Sequence, residues 1–133
     1  MRMAFVFLIF CSVVFASEYI IVLSQKSSIT KLSKAQIRDI YLKKREFIQS
    51  TKLVAVNLAS QDPIRIAFEQ RVLSMDREEI NEYWIEQHYR GVRPPVTQRS
   101  TSSMKAFLNN VEGSIGYLRK AQKPNNMRVV YEF

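Results

Sequence analysis

The sequence has few of the residues that usually supply cross-links, metal ligands and sharp turns. Its 133 residues include one Cys, one His, 3 Gly and 4 Pro. A single Cys excludes a disulfide framework within the chain and a four-thiolate metal site. A single His excludes metal or acid–base chemistry that needs two imidazoles, and so few Gly and Pro leave little room for flexible linkers. We therefore expect an apolar core to hold the fold together.

The charge balance is basic, with 20 Lys and Arg against 12 Asp and Glu and a formal net charge of +8. A content of 47% hydrophobic and 24% charged residues is typical of a globular protein, and the length suffices for one ordinary domain. A basic balance favours anionic ligands or acidic partner surfaces. Nucleic acid is not predicted as a partner, because residues 43–45 form the only run of three basic residues and the others are scattered.

Residues 1–16 have the pattern of a secretory signal peptide. Arg2 precedes an apolar stretch that is shorter than the roughly 20 residues needed to cross a bilayer. Val14 and Ala16 occupy positions −3 and −1 of a cleavage site before Ser17. The pattern predicts export to the periplasm.

After cleavage, residues 17–133 would form a single domain without cysteine. Two alternatives stay open at this point. One is a lipid anchor on Cys11, although Phe10 stands where a small residue would be needed. The other is an uncleaved anchor or a buried first strand.

Hydrophobic spacing predicts strands interleaved with helices along the exported chain. Ser33 with Gln36 and Asp76 with Glu79 are capping boxes, and Asp62–Pro63 pairs a cap with proline at the first helical position. The predicted strands are 18–24, 52–58, 114–118 and 127–131, and the predicted helices are 34–42, 63–73, 77–90 and about 101–112. The order β-α-β-α-α-α-β-β favours an α/β layer structure with a largely parallel sheet.

No arrangement of residues in the sequence predicts an enzyme. His88 lies near a helix end, where the helix dipole alone favours it. The phosphate-binding patterns GxxxxGK[ST] and GxGxxG are absent, as is a nucleophile elbow. The carboxylates of Asp62, Asp76, Glu78 and Glu79 stand at helix starts and are explained as capping groups. Neither a catalytic residue, a metal nor a cofactor is predicted.

Anion binding is the chemistry that the sequence supports, through three hydroxyl-rich segments. In open α/β sheets, ligands lie beyond the carboxyl ends of the strands, where helix N-termini present free N–H groups. We expect the three segments to meet at one edge of the sheet, although Ser and Thr also cap helices for stability alone. The segments contain Ser24, Ser27 and Ser28; Ser60, Gln61 and Arg65; and Arg99, Ser100 and Ser102.

Three aromatic residues, Tyr83, Trp84 and Tyr89, precede Pro94–Pro95. Their spacing favours packing against the core over an exposed binding platform.

Taken together, several motifs resemble those of the periplasmic phosphate-binding proteins of ABC transporters. Leu32–Ser33 with residues 37–44 is similar to the family's "LS…l.dIFlGk" stretch, and residues 54–68 match its strand, anion loop and helix. Residues 113–117 are similar to its "pGaIGYv" segment. The resemblance covers about residues 20–118.

The resemblance implies one lobe of a type-2 periplasmic binding protein, with a mostly parallel sheet flanked by helices. It also implies recognition of phosphate or a related oxyanion, and a membrane transporter as partner. The family closes two lobes around its ligand, so a homodimer is one way in which a second lobe would be supplied. The candidate ligand-binding residues are Ser60, Gln61, Arg65, Arg99, Ser100 and Ser102.

Two departures from the family pattern support an alternative function. Where the family has Ser-Gly-Thr at a helix start, Asp62 would repel an anion and Pro63 lacks a donor, which leaves Arg65 to compensate. Lys43 replaces the Gly of "FlGk" and would be strained if that position needs a positive φ. The alternative is a ligand-free periplasmic scaffold or interaction module that docks on another envelope protein.

Overall fold

A computed structural model describes residues 17–133, so the predicted signal peptide lies outside the described residues. Helices and strands alternate along most of this range. The strands are β1 (Tyr19–Ser24), β2 (Phe47–Ile48), β3 (Thr51–Lys52), β4 (Val54–Leu58), β5 (Val96–Gln98), β6 (Ser114–Arg119) and β7 (Met127–Glu132). The helices are α1 (Lys34–Tyr41), α2 (Pro63–Phe68), α3 (Arg77–Tyr89) and α4 (Thr101–Asn110), with a π-helical turn at Glu69–Leu73 and a 3₁₀ turn at Lys120–Gln122.

The main sheet has five strands in the order β5-β4-β6-β1-β7. Strand β4 pairs in parallel with β5 and β6, whereas β1 pairs antiparallel with β6 and β7. Four strands therefore point in one direction and β1 runs against them. The predicted mostly parallel sheet flanked by helices is confirmed.

The predicted capping residues begin the helices as expected. The Ser33 hydroxyl accepts a hydrogen bond from the Gln36 N–H at 3.1 Å, and the Asp76 carboxylate accepts one from the Glu79 N–H at 2.8 Å. Ser100 caps α4 in the same manner. Gly91, with φ of +77°, follows α3, and its N–H donates to the His88 carbonyl. Local sequence signals thus fix where these helices start and stop.

The predicted order lacks strand β5 and the β2–β3 hairpin and is wrong at these two places, whereas the π-helical turn lies within the predicted helix 63–73. Strand β5 has three residues, follows two prolines and forms an edge of the sheet, so it shows no alternation of polar and apolar side chains. The β2–β3 hairpin has two residues on each side. The π-helical turn continues α2 without a change in hydrophobic spacing. Each of these elements is set by its neighbours more than by its own sequence.

An aromatic cluster fills the core between the sheet and the first two helices. Phe68 stacks on Tyr117 with ring centroids 4.4 Å apart, and Tyr41 lies 4.6 Å from Phe68. The Tyr41 hydroxyl donates to the carbonyls of Val56 and Ile115, at 2.9 and 3.0 Å. Burial raises the pKa of Tyr41 well above its ordinary value. These contacts join neighbouring strands β4 and β6 beneath α1.

At two positions the backbone requirement is one that glycine meets best, either close packing or a positive φ. A Cβ on Gly116 would lie 2.6 Å from the Met104 sulfur, so the bare backbone of β6 lets α4 pack closely against it. Lys43, which stands where the resembled family has Gly, has φ of 60°. This position therefore does need the left-handed conformation, and Lys adopts it at some strain.

Candidate functional site

The carboxyl ends of two neighbouring parallel strands bring most of the predicted residues to one edge of the sheet. Leu58, the last residue of β4, is in register with Gln98, the last residue of β5. The segment with Ser60, Gln61 and Arg65 follows β4, and the segment with Arg99, Ser100 and Ser102 follows β5. The six candidate residues therefore lie on two adjacent segments. We call the end of the sheet that carries these segments the carboxyl edge.

The third predicted segment does not join them. Because β1 runs against the other strands, its last residue, Ser24, is in register with Met127, the first residue of β7. Ser24, Ser27 and Ser28 thus lie at the opposite edge of the sheet. The hydroxyls of Ser24 and Ser27 accept hydrogen bonds from the nearby N–H groups of Lys26 and Ile29. The expectation that all three segments meet at one edge is wrong for this loop.

The start of α4 is the open part of the carboxyl edge. The Ser100 hydroxyl accepts from the Ser103 N–H at 3.1 Å, which satisfies one of the free donors of the helix. The N–H groups of Thr101 and Ser102 have no hydrogen-bond acceptor among the described residues. Ser102 and the preceding Arg99 are exposed. Free N–H groups, hydroxyls and a guanidinium at a helix N-terminus can together hold a small anion.

The start of α2 is closed to an anion, as its sequence predicts. The Asp62 carboxylate accepts from the Ile64 N–H at 2.8 Å, and Pro63 has no N–H to offer. The Ser60 hydroxyl donates to the Gln61 side-chain oxygen at 3.3 Å, so these two side chains are paired with each other. A carboxylate where an anion would sit repels it.

Arg65 is turned inward instead of facing solvent. Its Nη1 donates to the Leu58 carbonyl at 2.9 Å, and its Nε lies 3.4 Å from Oε2 of Glu69. The other oxygen of Glu69 lies 2.6 Å from Nη2 of Arg77, which also donates to the Ser60 carbonyl at 2.7 Å. Glu69 is 5% exposed and is therefore a buried carboxylate between two guanidiniums.

Sequence reasoning missed Glu69 and Arg77. The spacing of Arg65 and Glu69, four residues apart in a helix, could have indicated their pairing. Arg77 follows the capping residue of α3, and its contact with Glu69 depends on the turn between the two helices, which the sequence does not specify.

Tyr117 anchors the end of β4 beneath this site. Its hydroxyl donates to Oδ1 of Asn57 at 3.0 Å and accepts from the Leu58 N–H at 3.0 Å. Burial raises the pKa of Tyr117 far above its ordinary value. The tyrosine of the resembled "GYv" segment thus fixes the strand end from which the Ser60 loop departs.

A separate apolar groove of about 520 Å³ runs along the C-terminal half of α3. Trp84 is half-buried against the core, as the spacing predicts, whereas Ile85 is 60% and Tyr89 is 85% exposed. Packing against the core is therefore a wrong expectation for Tyr89. Pro94 closes the groove on the side of β5.

Two further properties concern the described residues 17–133. No group of three or more His, Cys, Asp and Glu side chains in this range is arranged to hold a metal ion. No helix in this range is long and apolar enough to cross a membrane.

The fold is similar to three solved binding proteins, although no protein-family model and no curated protein matches the sequence. An ABC-type phosphate transport receptor from Vibrio cholerae is 16% identical, with a TM-score of 0.67 over 86% of this chain and 45% of that chain. A putative phosphate ABC transporter substrate-binding protein with bound phosphate, from Clostridium perfringens, is 18% identical, with a TM-score of 0.68 over 86% and 44%. PstS from Borrelia burgdorferi is 13% identical, with a TM-score of 0.66 over 86% and 46%.

At these identities the similarity shows the fold alone. The resemblance that the motifs predict is confirmed at that level, since the structural neighbours are phosphate-transport receptors and the chain corresponds to one lobe of their fold. The chain spans a little under half the length of each neighbour.

Proposed function

We propose that the protein is an exported solute-binding lobe that recognises phosphate or a related small oxyanion and works with an ABC transporter. The main observation that supports this proposal is the register of Leu58 with Gln98, since it brings the Ser60 loop next to the segment that begins α4. Two of the neighbouring structures are a phosphate transport receptor and a substrate-binding protein with bound phosphate, which supports the same ligand class. In this proposal residues 1–16 are a signal peptide, and residues 17–133 act as one non-enzymatic domain in the periplasm.

The start of α4 would make the main contacts with the anion. The N–H groups of Thr101 and Ser102 would donate to it, and the exposed guanidinium of Arg99 would offer a bidentate pair. Ser60 and Gln61 would border the same site, whereas Arg65 is already engaged by Leu58 and Glu69. A second lobe, in a partner protein or a second copy, would complete the enclosure that buries a small ligand.

Calorimetric titration of the purified protein with phosphate and with sulfate tests this proposal. Arg99→Ala should weaken binding by about 1 kcal/mol, roughly fivefold, because it removes a charge-assisted pair. Arg93→Ala is the matched control, since Arg93 is also exposed but precedes β5 and so lies away from the carboxyl edge. A folded protein that releases no heat at millimolar phosphate or sulfate would contradict the proposal.

The groove on α3 favours a second candidate function, that of a scaffold which docks on another envelope protein. A contiguous patch of exposed apolar side chains beside a groove is typical of a protein interaction surface. Mild crosslinking in the envelope fraction, followed by purification, should capture a partner that Ile85→Ser loses. Phe47→Ser is the control, because Phe47 is 50% exposed on the β2–β3 hairpin and does not line the groove. Recovery of monomer alone would count against this function.

A further inference from the structure

The contacts of Glu69 show a buried carboxylate held by two arginines at the carboxyl edge. Nε of Arg65 and Nη2 of Arg77 lie 3.4 and 2.6 Å from its two oxygens. Each guanidinium also donates to a backbone carbonyl, Arg65 through Nη1 to Leu58 and Arg77 through the same Nη2 to Ser60. Backbone carbonyls of the β4 end thus hold two guanidiniums in place around one negative charge, which is the arrangement that oxyanion sites use.

The Glu69 carboxylate does not satisfy all the buried donors of Arg65. The Arg65 Nε is fully buried and makes no hydrogen bond among the described residues, although Glu69 is its nearest acid. A buried donor without an acceptor is unfavourable and uncommon in folded proteins. Glu69 therefore offers this donor a negative charge at 3.4 Å but not a hydrogen bond of good geometry.

There is open space beside Glu69 and Arg77, although Arg65 does not border it. A cavity of about 260 Å³ borders Glu69, Ser60 and Arg77. Its volume is several times the roughly 30 Å³ that one water molecule takes up in the liquid. Asp76 also borders the cavity, and its carboxylate is engaged by the Glu79 N–H at 2.8 Å. Glu69 is the first residue of the π-helical turn, and such turns occur frequently at functional sites.

We propose that Arg65 and Arg77 form a binding site for a small oxyanion, and that the Glu69 carboxylate occupies it as an internal ligand. An external oxyanion such as phosphate binds there when Glu69 is removed or swings away into the cavity. The inference rests on the proposed function, because it concerns the same edge of the sheet, but it assigns a second, closed subsite in addition to the open start of α4. Glu69 then limits how strongly this subsite binds an external anion.

The test is phosphate titration of the full-length protein and of Glu69→Ala, followed by calorimetry and by thermal unfolding. The variant should bind phosphate at least tenfold more tightly than the unmodified protein, and phosphate should raise its melting temperature by more. Glu86→Ala is the matched control, since Glu86 also pairs with an arginine four residues away but is exposed on α3. It removes the same charge from the chain and should leave phosphate affinity unchanged.

Two further variants make the result specific. The double variant Glu69→Ala with Arg77→Ala should lose the gained affinity, and Glu69→Gln keeps the size of the side chain if the alanine variant fails to fold. A gain no larger than that of Glu86→Ala, or a gain that survives loss of Arg77, would overturn the inference.

The outcomes separate this inference from the proposed function. Binding by the unmodified protein that depends on Arg99 and does not change in Glu69→Ala or Glu69→Gln leaves the proposed function intact and overturns the internal-ligand site. Binding that appears only when Glu69 is replaced supports the internal-ligand site and contradicts phosphate binding as the natural activity.

Discussion

Two helices begin at the carboxyl edge, and their first turns differ in whether they can accept an anion. At α2 the cap is Asp62 and the first helical residue is Pro63, so the helix start carries a negative charge and lacks a donor. At α4 the cap is the neutral hydroxyl of Ser100, and the next two N–H groups are free of partners in the described part of the chain. The same fold can therefore open one helix start to ligands and close its neighbour through the choice of capping residues.

The arginines near the two helix starts also differ in whether they contact an acidic side chain. Arg65 and Arg77, beside α2, share the single carboxylate of Glu69, whereas Arg99, beside α4, is exposed without an acidic partner among residues 17–133. Basic side chains at both places would look equivalent in a count of charges. Their contacts show that the guanidinium beside α4 has no acidic contact, whereas both guanidiniums beside α2 have one.

Removal of Glu69 should disrupt the α2 side most. Glu69→Ala leaves two guanidiniums without their carboxylate, one of them nearly buried, and should lower the free energy of unfolding by about 3 kcal/mol. Denaturant unfolding measures this loss. The exposed pair broken in Glu86→Ala should lower it by less than about 0.5 kcal/mol. Equal losses in both variants would mean that Glu69 contributes no more than a surface charge.

Removal of the Tyr117 hydroxyl should loosen the strand end beneath α2. Tyr117→Phe leaves Asn57 and the Leu58 N–H without their partner and should lower the free energy of unfolding by about 2 kcal/mol. Tyr131→Phe, which removes a half-buried hydroxyl without a hydrogen bond to the described residues, should have little effect.

The same tyrosine predicts a dependence of stability on alkaline pH. Because burial raises the pKa of Tyr117 in the folded protein, the unfolded chain loses its proton first, near pH 10. Stability is thus fully present below about pH 10 and should fall above it, by up to about 1.4 kcal/mol per pH unit for this group. Tyr117→Phe should make the decline shallower, and an identical decline would contradict the assignment.

Exchange of the α4 cap should weaken that helix without disturbing α2. Ser100→Ala removes the acceptor of the Ser103 N–H and should lower the free energy of unfolding by about 1 kcal/mol. Phosphate affinity should fall as well, since the free N–H groups depend on an ordered helix start. Hydrogen exchange of the α4 amides measures the local effect, and faster exchange in α2 as well would argue against two independent helix starts.

Conversion of the α2 cap should make the two helix starts more alike. Asp62→Ser keeps a capping oxygen, so the free energy of unfolding should change by less than about 0.5 kcal/mol. The loss of a carboxylate near the site should at the same time increase phosphate affinity a few fold. Calorimetry checks the affinity, with Asp39→Ser, on α1, as the control. Unchanged affinity would mean that Asp62 does not limit anion access.

The sequence predicts those parts of the fold that local chemistry determines. Capping oxygens at Ser33, Asp62, Asp76 and Ser100 mark the helix starts, and apolar runs mark strands β1, β4, β6 and β7. Strand β5 was missed because its pairing with β4, not its composition, makes it a strand. Elements with a capping residue or an apolar run can therefore be predicted locally, whereas an element defined by its pairing partner cannot.

The candidate site was predictable only in part, because its geometry depends on strand direction and on distant contacts. The Ser60 and Ser100 segments meet because β4 and β5 are parallel, whereas the loop after β1 is excluded because that strand is reversed. The contacts of Arg65 are not predictable from the sequence, because its partner Glu69 and the neighbouring Arg77 are brought together only by the turn between α2 and α3. Pairings of this kind arise from tertiary structure.

The reversed direction of β1 has a practical consequence for how binding can be observed. Tyr19 and Phe133 exchange backbone hydrogen bonds of 3.1 and 2.9 Å, at the end of the sheet where β6 also finishes. A residue appended after Phe133 therefore emerges on the same side as the two helix starts. The only native thiol belongs to Cys11, in the segment that the signal-peptide prediction removes. A single cysteine added at that end would then carry one environment-sensitive dye. Its fluorescence would report in real time when an anion binds at the carboxyl edge.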